Sequence, residues 1–560
     1  MGAIVLLALG FRLWGIGNGL PYGQIPEETA EVSTSLRIAA GEPPRYWFRR
    51  VGWPTSQLPL HGLHFLYLRL TTPGFGLDDF EAAYFTNRGA FLLSARVLVA
   101  VIASLSVMGG YAAVRALTGS DAGGLLTALL LAIHPWHVYI SHVALPDGYA
   151  LAWVAVALLA SIRIAQTGAR WAYILAGVAV AVVILTRLQA MTVALSVALA
   201  HVVHWKRQNG RPRDLLLAGW PWALGAFVVA TVVFNPFVVI SPARAWDDIV
   251  SQAFQKLGRN KDLAARWKAI RANQRFPITI VRPYVAVAAL VGAAIATIRR
   301  DWDALVVAVF GVGLVLTLAP LTRTKVTYSL PLLVPAALLA GYGLTVLAKS
   351  QVRWLRWAAA LLYLVILGWS VAESVTIDRA MANTNTKMVT YEWIAENVPP
   401  GSNILVADPA IYGVPLARTE ESLARAQALT TLTASEEFWL DHPEEAHQPQ
   451  YNLYGPEVKP QITDDESWWA FVRDNQITYV VEADYCSRAG YSYDSASNIE
   501  FPVLTVPVRA ELELLAEFSP FDTGPCQQYI PLRLHLQNMD LGGWERVGPL
   551  IRVYRVPHKP

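Results

Sequence analysis

The chain is poor in charge and in cysteine. Only 16% of its 560 residues are Asp, Glu, Lys or Arg, where soluble domains carry roughly 25%. Two cysteines exclude a disulfide-dense scaffold and a multi-cysteine metal site. There is no Walker loop, no dinucleotide glycine fingerprint and no GxSxG nucleophile elbow. A soluble ATP or nucleotide-sugar site is therefore not indicated. The net charge is only +3, and no basic stripe with interleaved aromatics runs through the chain, which excludes nucleic acid as a partner. What remains is apolar: 54% of residues are hydrophobic and the mean hydropathy is +0.36. Twenty Trp and 22 Tyr fit rings that gather at bilayer interfaces. The chain reads as a membrane protein whose partners include lipids.

Apolar stretches recur at 1–17, 91–114, 123–140, 148–163, 171–187, 189–205, 215–240, 277–298, 302–320, 327–348 and 354–373, predicting about eleven membrane helices. The opening MGAIVLLALGFRLWGIG lacks a basic n-region and a small-residue cleavage site, so it reads as an uncleaved first helix. The segment PLHGLHFLYLRL at 59–70 is short and carries two histidines and an arginine. It predicts an interfacial or re-entrant helix.

With the N-terminus in the cytoplasm, Arg115, Arg163, Arg170, Lys206, Arg207, Arg211, Arg213, Arg299, Arg300, Lys349, Arg353 and Arg356 fall inside, as the positive-inside rule requires. The basic loop 241–276 breaks the rule, with Arg244, Lys256, Arg259, Lys261, Arg266, Lys268, Arg271 and Arg275. Its cations either face something anionic outside or mark a span miscounted by one. Beyond residue 373 the composition turns polar, with strand-like runs SNILVAD, ITYVVEAD and IRVYRVP separated by turn formers. The expected organisation is a polytopic α-helical membrane domain, 1–373, with a first outside loop at 18–90. An extracytoplasmic α+β domain follows at 374–560. Cys486 and Cys526 both lie in the second domain. There they are either a disulfide or two buried thiols.

Three groups of residues could carry chemistry on the outer face. In LPYGQIPEETAE, Glu27 and Glu28 follow Pro26. They are either simple acids at a helix start or a base held ionised by the helix dipole. The helix they open would line one face with Val32, Leu36, Ile38 and Ala39. In IHPWHVYISHVALPDGYAL, Asp147 stands at a helix entrance behind His134, His137 and His142. An ionisable group at membrane depth is a functional candidate, though Asp147 could also cap the helix and the histidines could be interfacial. The third group is cationic: Arg96, Arg187, Arg323 and Lys325. They either snorkel to headgroups or surround a phosphate, which the planar guanidinium fork matches.

These motifs carry a resemblance over nearly the whole chain. FRLWGIGNGLPYGQIPEETAE resembles the first helix and loop of C-type membrane glycosyltransferases, in the protein O-mannosyltransferase-like branch with its bacterial members, where the loop reads LPY…HPDE. AIHPWHVYISHVALPDG is similar to that family's second acidic motif, SP-HV-SH-ATTD. KVTYSLPLLVPAALLAGYGL is similar to its RYLLPLLPALALLA helix, and TYEWIAENVPPGSNILV followed by ITYVVEAD to its bacterial outer domain.

The resemblance implies inverting transfer of a sugar from a polyprenyl-phosphate carrier to a protein, lipid or glycan acceptor, on the outer face of the cytoplasmic membrane. It assigns Glu27 as catalytic base with Glu28 beside it. Asp147 orients the acceptor or, with Glu27, holds a divalent cation (Mg or Mn). Arg96, Arg187, Arg323 and Lys325 bind the donor phosphate, and His137, His142 and Tyr328 contact the acceptor or support the site. The chemistry is consistent, since a hydroxyl acceptor needs a base and a phosphate leaving group needs cations. Two departures stand out. HPDE reads IPEE, with Ile25 for the histidine and Glu27 for the aspartate, and Thr327 stands where the family has arginine. The alternative is therefore a catalytically degenerate membrane subunit that keeps the fold and binds partners.

Overall fold

The computed structural model describes residues 1–23, 26–44, 47–48, 51–257, 267, 270–271, 273–321, 326–407, 414–445, 447–484, 504–521 and 545–557. The chain is a polytopic α-helical membrane protein with a small C-terminal sheet. Among the described residues, six helices are long and apolar enough to cross a membrane: Arg88–Thr118, Pro146–Thr167, Leu188–Arg207, Pro212–Phe234, Thr327–Ala348 and Arg353–Asn397. A seventh candidate is the bent pair Arg275–Val281 and Pro283–Ile298. Four shorter apolar helices, Gly2–Leu13, Asp121–Ala132, Arg170–Thr186 and Trp302–Leu318, join them. Every apolar stretch of the sequence thus forms helix.

Two stretches are not straight. The segment expected at 123–140 stops at Ala132 and restarts as Pro135–Ile140, because Pro135 cannot continue the first helix but suits the first turn of the second. The segment at 277–298 bends by 98°. At the bend Arg282 adopts φ 68° and Pro283 opens the next helix. The strained backbone is held by the side chain. Arg282 Nε donates to Glu373 Oε2 (2.9 Å), and Tyr284 and Trp369 donate to the same carboxylate. The stretch at 59–70 is part of a longer helix, Gly52–Thr71.

The described residues fall into two compact units. The first comprises 1–16, 30–63 and 94–378. Small residues let its helices approach closely. Ala155 lies 3.2 Å from where a Cβ on Gly109 would sit. The helix Trp220–Phe234 exposes Leu224, Val228, Val229 and Val233, an apolar face that only hydrocarbon can solvate.

The second unit comprises 17–29, 64–93 and 379–560. Its sheet uses β1 (Asn403–Ala407), β2 (Ala417–Arg418), β3 (Gln450–Tyr454), β4 (Tyr479–Asp484), β5 (Glu513–Phe518) and β6 (Leu550–Arg555), in the order β2-β3-β1-β4-β6-β5. β1 to β4 run parallel, while β6 is antiparallel to both β4 and β5. Alternation along the strands separates two cores. Leu405, Val480 and Tyr554 pack with Trp468 and Phe471 on one face. Ile404, Val481, Ile551 and Val553 pack with Ile394 and Tyr451 on the other. Within the same unit, Phe80, Tyr84 and Phe85 of the helix Leu77–Thr86 form an aromatic cluster with Phe91 at the start of Arg88–Thr118. Phe85 stacks on Phe438 at 4.6 Å, and Arg88 donates to the Ser435 hydroxyl.

Candidate functional site

The acidic pair lies in the first turn of the helix Pro26–Ala39. Glu28 is fully buried and Glu27 is half-buried. The helix does not present the apolar face expected of Val32, Leu36, Ile38 and Ala39. Its buried stripe is Glu28, Glu31, Val32 and Ser35, while Ala39 is exposed and Leu36 and Ile38 are only partly covered. Spacings of three and four place two carboxylates on the inward face, so a hydrophobicity argument selected the wrong stripe. Gly23 accounts for the tight approach of the loop. Its φ is +86°, and a Cβ there would sit 3.1 Å from Glu28 Oε1. Tyr22, next to it, packs against Tyr391 and His447, each at 6.0 Å.

Asp147 sits in the first turn of Pro146–Thr167, but it is not the cap. Leu145 holds that position without a side-chain bond. The partner of Asp147 is Arg187, which ends the helix Arg170–Thr186 and starts the 3₁₀ turn Leu188–Thr192. Both side chains are buried. The structure therefore unites two residues that the sequence placed in separate groups, an acid and a phosphate-binding cation. Arg187 Nε is buried and has no hydrogen-bond partner. A guanidinium has five donors, and this one keeps a donor available beside a carboxylate.

The pair is framed by the helix Gly52–Thr71. A Cβ on Gly52 would lie 3.0 Å from Leu185 Cβ, and Trp53 Nε1 donates to Ala144 O (3.0 Å). Tyr149, two residues past Asp147, accepts from the Ser56 hydroxyl at 2.8 Å. It also lines a cavity of about 630 Å³ with Thr55, Leu58, Ile102, Trp153 and Phe234. The lining is overwhelmingly apolar, and Leu105 and Val233 on its rim belong to the exposed apolar surface.

The other candidates are placed differently. Arg96 is fully buried and donates to Ile16 O at 2.6 Å, a contact that ties its helix to the turn after Gly2–Leu13. His134 and Trp136 reach the carbonyls of Val281 and Thr279 at 3.3 and 3.0 Å. His137 receives a bond from Arg12 (2.9 Å), and His142 lies between the carbonyls of Val138 and Trp14. These histidines are wholly inside the protein, in contacts that hold its fold, rather than at an interface. Tyr328 is half-buried in the 3₁₀ turn Val326–Leu332. Arg323, Lys325, Cys486 and Cys526 lie outside the described residues, as do Arg259, Lys261, Arg266, Lys268 and the side chain of Lys256. Of the basic loop, Arg244 stands 4.9 Å over the Trp47 ring, and Arg271 and Arg275 are exposed.

Among the described residues, no group of three His, Cys, Asp or Glu side chains could hold a metal. Asp147 is committed to Arg187, so the donor set does not fit a cation here and no step below passes through one. Sequence reasoning overlooked Arg12, Glu31, Arg282, Glu373 and Asp378, all buried. The signal available for most of them was a charge within or beside an apolar helix.

The profile of the family described as dolichyl-phosphate-mannose-protein mannosyltransferase matches residues 78–244. No curated protein matches the chain significantly. Among solved structures, the Archaeoglobus fulgidus oligosaccharyltransferase in complex with Zn and sulfate is 12% identical. It has a TM-score of 0.44 over 86% of this chain and 67% of its own. ArnT from Cupriavidus metallidurans bound to undecaprenyl phosphate is 14% identical, with a TM-score of 0.44 over 86% of this chain and 92% of its own. The arabinofuranosyltransferase AftD from Mycobacteria is 15% identical, with a TM-score of 0.42 over 100% of this chain and 40% of its own. Over residues 78–244, which include Arg96, the three histidines, Asp147 and Arg187, this multi-pass membrane protein is mannosyltransferase-like.

Proposed function

We propose that the protein is an inverting glycosyltransferase that moves a sugar from a polyprenyl-phosphate donor to a hydroxyl acceptor at the outer face of the cytoplasmic membrane. The observation that carries this reading is the buried Asp147–Arg187 pair at the start of a helix that, from Tyr149 onward, lines an apolar cavity of about 630 Å³ whose rim lies on the exposed apolar surface. An isoprenoid chain needs an apolar slot reached from hydrocarbon, and its phosphate needs a cation where the slot ends. The family match over the same segment supports it.

In this reading Arg187 grips the leaving phosphate, using the fork geometry that suits two oxygens. Asp147 holds the guanidinium in place and helps to orient the acceptor. Glu27 removes the acceptor proton as the glycosidic bond forms, and the phosphate departs with the bonding electrons. Attack from the face opposite the phosphate gives inversion. Arg323 and Lys325 add positive charge at the donor, and the sheet unit lies outside the membrane with the acceptor.

The test is transfer in proteoliposomes from radiolabelled polyprenyl-phosphate-mannose and its glucose and arabinose counterparts, with peptide, glycan and lipid acceptors supplied together. Turnover that is lost in Glu27→Gln supports the reading. No donor consumption by folded wild-type protein would favour the degenerate subunit.

A further inference from the structure

Asp378 lies near the end of the helix Arg353–Ala382 and is wholly buried. Neither of its carboxylate oxygens has a hydrogen-bond partner. A bare buried carboxylate is costly unless a charge or a proton compensates it. Two groups act on it: His142, whose Nε2 lies 3.5 Å from Asp378 Oδ1, and Arg12, whose positive charge it feels.

His142 has an unusual environment of its own. Nδ1 is 2.9 Å from Val138 O, and Nε2 is 2.9 Å from Trp14 O. A neutral imidazole carries one N–H, so it can donate to only one of these carbonyls. The other nitrogen would then set its lone pair against a carbonyl lone pair. One additional proton on His142 resolves both problems, because both ring nitrogens then donate and the imidazolium compensates Asp378, whereas the same proton on Asp378 relieves the carboxylate alone.

Two nearby cations bear on that proton. Arg12, on Gly2–Leu13, donates to His137 Nδ1 and to Ala8 O and Ala132 O. Arg96, on Arg88–Thr118, donates to Ile16 O. These two cations oppose a further positive charge, and the Asp378 carboxylate offsets them. His134 and His137 are the other buried histidines of this segment.

We propose that the Asp378–His142 pair carries one buried proton, lodged on one group or the other, and acts as a positioning device for Asp147. The pair secures the turn between the helices Pro135–Ile140 and Pro146–Thr167 to the end of the first helix through Trp14 O. Trp53 holds the same turn from its other side through Ala144 O. Asp147 follows directly and meets Arg187. Asp378 touches no reacting atom, so it acts through His142.

The proposal rests on the glycosyl-transfer reading only for its activity arm. The primary experiment is independent of turnover: ¹⁵N-histidine spectra of the full chain in nanodiscs, with His142 assigned by its loss in His142→Gln. Asp378→Asn is expected to shift both ring nitrogens of His142. It should also raise hydrogen exchange over residues 141–147 about tenfold. Where wild-type transfer is measurable, kcat should fall about tenfold with donor KM unchanged, and the pH–rate profile should move.

Unchanged His142 shifts and exchange in a folded Asp378→Asn protein overturn the proposal. Wild-type protein gives a second readout should that variant not fold. A neutral His142 imidazole together with an infrared signature of an ionised Asp378 carboxylate at neutral pH also overturns it. If the shifts change while folded wild type consumes no donor, the glycosyltransferase reading fails and the proton-carrying pair stands.

Discussion

Buried charge is handled in opposite ways by the two units. In the sheet unit each buried carboxylate is saturated. Glu482 receives bonds from Arg509 and Tyr554, with Arg552 3.7 Å away. Glu457 takes both Nη atoms of Arg418 and the backbone N–H of Gly455. In the helical unit, Arg187 keeps an idle Nε and Asp378 has no hydrogen bond at all. Saturated ion pairs lock a fold, and removing one partner strands the other. An incomplete pair in a low-dielectric interior is a poor way to gain stability. It leaves a donor or a proton for something else, and perturbed, unsatisfied groups gather at functional sites.

The comparison is broken most severely at Glu27. Glu27→Gln removes a base and almost no volume, so transfer should fall about 10³-fold, the middle of the range for a general base. Thermal unfolding in detergent should not change. If turnover persists, the base is another residue, and Glu28→Gln is the next variant to assay.

Next in size is Arg187→Lys, which keeps the charge but loses the planar fork and the idle Nε. The expected loss is about 10²-fold in kcat/KM for the donor, carried mostly by KM. An equal loss with Asp147→Asn, and no further loss in the double variant, would show that the two act as one unit. Full activity in Arg187→Lys would mean that the guanidinium only holds the helix end.

How much of this could be seen in the sequence differs by residue. The helices were legible because apolar runs of this length have one outcome in a bilayer. Breaks at Pro135 and Pro283 were visible only as prolines, and whether a proline kinks, splits or opens a helix depends on its neighbours. Asp147 and Arg187 were each recognised, but their pairing joins two helix ends that sequence spacing does not relate. The inward stripe of the helix Pro26–Ala39 was misread because its rule assumes that apolar residues face inside, and here Glu28 and Glu31 do. Asp378 escaped notice because the last apolar run was taken to end at 373, whereas the helix continues to Ala382.

The smallest expected effect belongs to the saturated side, and it tests whether saturation means structure alone. Burial by itself would push the Glu457 carboxyl up. The Arg418 bonds and the Gly455 N–H outweigh this and leave it below the usual carboxylate value. A carboxyl whose folded pKa is depressed stabilises the fold fully above its unfolded pKa, about 4.3. That contribution is lost as pH falls through the lower folded value. Glu457→Gln should therefore destabilise the sheet unit by about 2 kcal/mol at neutral pH, measured by denaturant melts followed through its tryptophans. The difference from wild type should shrink below about pH 4, where the wild-type carboxyl takes up its proton. Transfer measured well below the melting temperature should be unaffected. A Glu457→Gln protein with wild-type stability but altered transfer would reverse the comparison, because a fully bonded carboxylate would then be acting on the reaction rather than on the fold.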